Sequence, residues 1–168
     1  TLDLDTFEQL VETGERALDS GHAAAAAETL REALTLWRGP PLADFAYEPF
    51  AQAAIARLEE LRLAALERRI EADLALGRHA DVVGELKELV SAHPLREGFR
   101  AQLMLALYRS GRQAEALDVF QDARARFVEE LGIEPGPELR QLQAEILRHD
   151  AGIAAPGAPR AASDEEGE

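Results

Sequence analysis

Cysteine is absent from the 168 residues, which excludes disulfides, thiol nucleophiles and zinc sites built on thiolates. Aromatic side chains are scarce, at 5%. A core must therefore rest mostly on Leu and Ala, which favour helices, rather than on the β-branched and aromatic residues that favour strands. Positive charge is in short supply: 18 Lys and Arg face 32 Asp and Glu, a formal net charge of −14. Duplex DNA is a dense line of phosphates that normally needs a basic surface, so the overall field opposes autonomous DNA binding. No apolar run approaches the ~20 residues that span a bilayer, and nothing has the layout of a signal peptide. No membrane association is expected, and the chemistry fits the cytoplasm.

Catalytic signatures are missing as well. There is no HExxH, no GxGxxG and no phosphate-cradling GxxxxGK followed by Ser or Thr. The four histidines, His22, His79, His93 and His149, fall at turns and helix ends without the spacing of a ligand set. Adjacent carboxylates such as Glu59-Glu60 and Glu129-Glu130 diverge by ~100° on a helix and read as a solvated face. The expectation is no enzyme, no cofactor and no metal.

What remains is helical. An apolar fraction of 46% allows a sizeable core. Asp5-Thr6-Phe7-Glu8 has the spacing of a capping box, and a first helix carries Phe7, Leu10, Val11 and Leu18 inward as far as Ser20-Gly21. A second runs from about His22 to Trp37, where Gly39-Pro40-Pro41 stops it. A long third, about Glu48–Leu76, has two apolar tracks, Leu58-Leu61-Ala65 and Leu63-Leu66-Ile70-Leu74. Further helices are expected over about 79–92, 95–110, 112–131 and 138–149, the last behind Pro137. From Asp150 onward, Ala, Gly and Pro give way to a run of acids, a composition that cannot offset its conformational entropy by burial. The expected organisation is one helical domain over 1–149 and an unstructured acidic tail or linker over 150–168. The tail carries a net −4, which leaves −10 on residues 1–149. The chain does not begin with Met and opens directly into helical pattern, as a segment of a longer protein would.

Three segments share one pattern. From Gly21, Gly77 and Gly111, apolar residues recur five, nine and twelve positions later: Ala26, Leu30, Ala33; Val82, Leu86, Leu89; Ala116, Phe120, Ala123. Gly77 and Gly111 lie 34 residues apart, the tetratricopeptide period. Gly21 and Gly77 lie 56 apart, so about 22 residues are inserted around the proline-containing link and the long third helix. A helix pair with an apolar stripe on each member buries both only by stacking on another pair, which is the physical basis of such repeats. The fold class is all-α, a right-handed tetratricopeptide-like array of antiparallel helix pairs with about seven helices.

Three motifs carry a resemblance: LWRGPPLADF (Leu36–Phe45), HPLRE (His93–Glu97) and ELGIEPGPEL (Glu130–Leu139). Together with LYRSGRQAEAL they resemble, over about residues 1–149, the bacterial transcriptional activator domain of the Streptomyces antibiotic regulatory protein family. That resemblance implies transcription activation through protein contacts, with promoter DNA read by a winged-helix domain that is not in this sequence. The implied partners are that winged-helix domain, a second protomer, or RNA polymerase with its sigma factor. In tetratricopeptide-like arrays the first helix of each pair lines the concave face, which implies protein-contact roles for Glu67, Arg68, Glu71, Gln102, Tyr108 and Arg109. The alternative reading is a stand-alone tetratricopeptide-type adaptor that binds a peptide and is unrelated to transcription.

Overall fold

The computed structural model describes residues 4–37, 49–149 and 151–156. Among them are seven α-helices: α1 Leu4–Asp19, α2 Ala23–Thr35, α3 Pro49–Ala75, α4 His79–Ala92, α5 Glu97–Arg109, α6 Gln113–Leu131 and α7 Pro137–Arg148. No strand occurs among the described residues. The helix bounds follow the expected ones closely. One difference is at the start, where α1 begins at Leu4, so that Asp5 sits inside the first turn rather than capping it. The stop at Gly39-Pro40-Pro41, and the rest of the LWRGPPLADF motif beyond Trp37, lie outside the described residues.

The chain forms two compact units, Thr1–Leu76 and Gly77–Glu168. In the first, α1 packs on α2 and α2 on α3. Phe7, Ala33 and Ala65 form one buried cluster, covered by Leu10, Val11, Leu34, Trp37 and Leu61. The Trp37 ring meets that of Phe7 at 5.5 Å, tilted by 55°, a favourable aromatic arrangement. Ala26, Ala27 and Ala72 form a second cluster, where small side chains let α2 and α3 approach closely. Of the two tracks on α3, Leu63-Leu66-Ile70-Leu74 is buried throughout, whereas in the other only Ala65 is, with Leu58 and Leu61 half-buried.

In the second unit α5 packs against α4, α6 and α7. It accordingly buries Phe99, Leu103, Met104, Ala106 and Leu107. The repeat is plain in the geometry. Gly21, Gly77 and Gly111 all adopt the left-handed conformation, at φ 84°, 80° and 79°. A side chain is strained there, which is why glycine recurs at this position. Behind Gly21 and Gly111 the turn closes identically: His22 N–H donates to Ala17 at 2.8 Å and Arg112 N–H to Leu107 at 2.8 Å. Those six-to-one bonds satisfy carbonyls that the helix end leaves open. Eight of the nine matched apolar positions are buried, and Leu89 is half-buried.

The unstructured stretch expected from Asp150 onward does not hold at its start. Ala151–Ile153 form one turn of 3-10 helix, and Ile153 is buried. A buried β-branched side chain and a backbone hydrogen bond, described below, supply what composition alone did not reveal. Residues 157–168 lie outside the described residues.

Candidate functional site

Two groups of charged side chains stand out in the first unit, one around Asp73 and one around Arg68. Asp73 is wholly buried on α3, and both its oxygens accept from Arg31, at 2.9 and 2.8 Å. Arg69 donates to the same carboxylate at 2.9 Å from one turn earlier. A buried carboxylate of this kind is costly unless paired; here the single Arg31 nitrogen Nη2 serves both oxygens and Arg69 adds a second positive charge. The second group is nearer the surface. Arg68 donates to Asp19 at 2.8 Å and to Glu71 at 2.7 Å, with Glu15 at 3.6 Å. Burial by itself would lower the Arg68 guanidinium. The hydrogen bond to Asp19 and the charges of Glu71, Asp19 and Glu15 outweigh that and raise it above its ordinary value. Arg68 and Glu71, both expected to face a partner, are thus brought together as an ion pair within α3, while the Arg68–Asp19 bond ties α3 to the end of α1. Glu67 sits beside them, half-buried.

In the second unit the HPLRE and ELGIEPGPEL motifs meet. α7 opens on Gly136-Pro137, which has no side chain able to cap it. Glu97, the last residue of HPLRE, reaches across and accepts the Gly136 N–H with both oxygens, at 3.1 and 3.2 Å. A carboxylate at a helix N-terminus also meets the positive end of the helix dipole. A Cβ on residue 136 would lie 2.9 Å from the Glu97 Oε1, so glycine is required for the carboxylate to come this close. Within HPLREGFR, Arg100 is 1% exposed, donates from Nε to the Pro94 carbonyl at 2.8 Å and from Nη1 to Asp122 at 2.9 Å. The Arg96 guanidinium lies 5.5 Å above the Phe99 ring. These motif residues form a structural joint.

Tyr108 and Arg109 end α5. The Tyr108 hydroxyl is 3.3 Å from His149 Nδ1, and Arg109 Nε donates to the Ile153 carbonyl at 3.0 Å. Burial pushes the Arg109 guanidinium below its ordinary value. Both side chains therefore meet the chain's own segment after α7. Gln102 lies on the same helix, half-buried. Sequence reasoning passed over Asp73, Glu97 and Arg100. An Asp amid the otherwise apolar Ala72-Asp73-Leu74 run was the one available sign. An open groove beside α1, rimmed by Glu8, Glu12 and Glu15 over Val11 and Leu61, offers no catalytic arrangement. No group of three or more His, Cys, Asp or Glu that could hold a metal occurs among the described residues. No helix among them is long and apolar enough to cross a membrane.

The profile of the bacterial transcriptional activator domain matches residues 2–147. The chain belongs to that family. The regulatory protein DnrI of Streptomyces peucetius is 47% identical over 163 residues, covering 96% of this chain and 60% of DnrI. The regulatory protein AfsR of Streptomyces coelicolor is 48% identical over 153 residues, covering 91% of this chain and 15% of AfsR. A solved structure of Mycobacterium tuberculosis EmbR, in complex with a low-affinity phosphopeptide, superposes with a TM-score of 0.85 at 37% identity, covering 88% of this chain and 39% of EmbR. These relatives are regulators by name, and the resemblance to the Streptomyces antibiotic regulatory family holds. The activator domain is all-α and tetratricopeptide-like, and it spans only part of each of these relatives.

Proposed function

We propose that this activator domain is the protein-interaction and regulatory module of a transcriptional activator, working with a winged-helix domain that reads the promoter. The observation that carries the reading is the family match across residues 2–147, which takes in both compact units and the Glu97–Gly136 joint. The net charge of −14 supports a division of labour in which another domain meets the phosphates. A weak protein contact is enough for such a module. Covalent linkage to a DNA-bound domain turns it into an intramolecular contact, at an effective concentration of about a millimolar for short linkers. Contact residues in the first unit are Glu67, Arg68 and Glu71, and in the second, taken by itself, Gln102, Tyr108 and Arg109.

The test is a promoter reporter in an actinobacterial host. It compares a winged-helix domain alone, the activator domain alone, the two joined, and the joined protein carrying Glu67→Ala with Glu71→Ala. Only the joined protein should activate, and the double substitution should weaken it. Equal activation by the winged-helix domain alone removes the reading and favours the stand-alone adaptor. A mobility-shift assay with the isolated chain at physiological salt should show no duplex binding.

A further inference from the structure

In the first unit α1 and α3 both pack on α2 and touch each other little, which leaves an open groove of about 550 Å³ between them. Its floor is apolar, with Val11 from α1 and Leu61 and Ala64 from α3, all three half-buried. Its rim is acidic: Asp5, Glu8, Glu12 and Glu15 stand along the α1 edge. Spacings of 3, 4 and 3 residues keep the four carboxylates on one face of the helix, over about 15 Å.

Folding alone does not ask for this stripe. Like charges three or four residues apart destabilise a helix. Asp5 lies in the first turn, where the helix dipole favours an acid, but the other three lie beyond it. Arg68 is 3.6 Å from Glu15, and Arg16 is 3.7 Å from Glu12 in an exposed pair of little strength. The side chains of Asp5 and Glu8 form no ion pair or hydrogen bond among the described residues.

The chemistry of the groove selects its occupant. The rim repels phosphates, and it repels a second copy of a chain whose net charge is −14. No group of carboxylates that could hold a metal occurs among the described residues. An aliphatic floor beneath a row of acids fits an amphipathic helix that carries Lys or Arg in register, with an aliphatic side chain between them. Two helices laid side by side have the same rise, so cations at the spacing of the carboxylates meet each of them. That spacing is the same read in either direction.

We propose that the groove between α1 and α3 is a docking site for a basic amphipathic helix of a partner protein. An aliphatic side chain seats over Val11 and Leu61, and cations lie along Asp5, Glu8 and Glu12. This rests on the protein-interaction reading above and names the partner's chemistry.

The test titrates the full chain, labelled with nitrogen-15, with a synthetic alanine-based helix whose lysines repeat at the spacing of the carboxylates and whose leucines lie between them. Amide resonances of Glu8, Val11, Glu12, Leu61 and Ala64 should shift, while those of α6 stay in place. Glu8→Gln with Glu12→Gln, both exposed, should weaken binding roughly tenfold, the worth of two surface ion pairs. Glu88→Gln with Glu129→Gln changes the net charge equally outside the groove and should leave the affinity nearly unchanged. Should helicity fall in either variant, the place of the shifts in the native chain decides. The proposal is overturned if the shifts are absent or scattered, or if the two double variants weaken binding alike. It is overturned too if the same helix with alanines for its leucines binds as tightly. Magnesium ions giving the same shifts would assign the groove to a metal, and the same shifts on concentrating the chain alone would assign it to a second copy; either result overturns the proposal. A failed titration beside an intact promoter response removes this site and leaves the activator reading standing.

Discussion

Two glycines inside helices should respond to the same substitution in opposite directions. Gly84 lies on the exposed face of α4, and a Cβ there would meet nothing within 4 Å. Gly84→Ala should therefore gain only the helix-propensity difference, about 1 kcal/mol. Gly14, on α1, faces Leu30 of α2, which is wholly buried. A Cβ on residue 14 would lie 2.6 Å from Leu30 Cγ, 2.8 Å from Cδ2 and 3.4 Å from Cδ1. The nearest atom is the branch point of the side chain, held close to the backbone, so a simple rotation of the methyls does not relieve the clash. Forcing a carbon into a packed contact costs about 1–3 kcal/mol, and the rigid branch point argues for the upper half of that range. Set against the same propensity gain, Gly14→Ala should lose about 1–2 kcal/mol. For a chain of this length each kcal/mol moves the thermal midpoint by about 2–4 °C. Circular-dichroism melts of the two variants should then shift in opposite senses, Gly84→Ala upward and Gly14→Ala downward by several degrees. A rise for Gly14→Ala equal to that of Gly84→Ala would show that α1 and α2 are not packed this closely.

Other outcomes follow from the charged groups. Asp73→Ala removes the carboxylate shared by Arg31 and Arg69 and should cost about 3–5 kcal/mol in urea denaturation, the usual penalty for breaking a buried ion pair. Glu97→Ala deprives α7 of its borrowed acceptor and should cost about 1–3 kcal/mol. Gly136→Ala meets only the flexible end of the Glu97 side chain, which can shift, and should cost less than Glu97→Ala by the same assay. The Glu134 carboxyl, hydrogen-bonded by Arg124, and the Glu115 carboxyl, hydrogen-bonded by Arg112, are held below the usual carboxylate range. A depressed folded-state value means these pairs add stability above the ordinary carboxylate pKa and lose it as pH falls through the depressed one. Melting midpoints should drop across that acidic window, and Glu134→Gln should make the drop shallower.

Much of the architecture was legible because local rules and tertiary demands coincide. The glycines at 21, 77 and 111 mark left-handed turns that few other residues adopt, and the positions five, nine and twelve beyond them are interior in nearly every case. Helix bounds followed from Pro, Gly and periodicity. Pairing between distant residues was not legible. Nothing in HPLRE says that its Glu meets a backbone N–H 39 positions later, or that Arg100 turns inward to the Pro94 carbonyl. The likeness to tetratricopeptide-like arrays assigns Tyr108 and Arg109 to a partner-facing surface but does not show that His149 and Ile153 fold back to meet them. Gly14 is unfavourable in a helix by propensity alone, and only the Leu30 side chain across from it accounts for its place.

The carboxylate that crosses to Gly136 also carries a meaning for the order of events in folding. A helix of 12 residues is marginal alone in water, and one that opens on Gly-Pro lacks the local acceptor that would favour its first turn. α7 therefore closes its first turn against a group delivered by α5. In kinetic terms its nucleation is a late event, contingent on a partner already formed. Weakening Glu97 should leave the folding rate of the unit nearly untouched and speed its unfolding, the signature of a contact made after the barrier has been crossed.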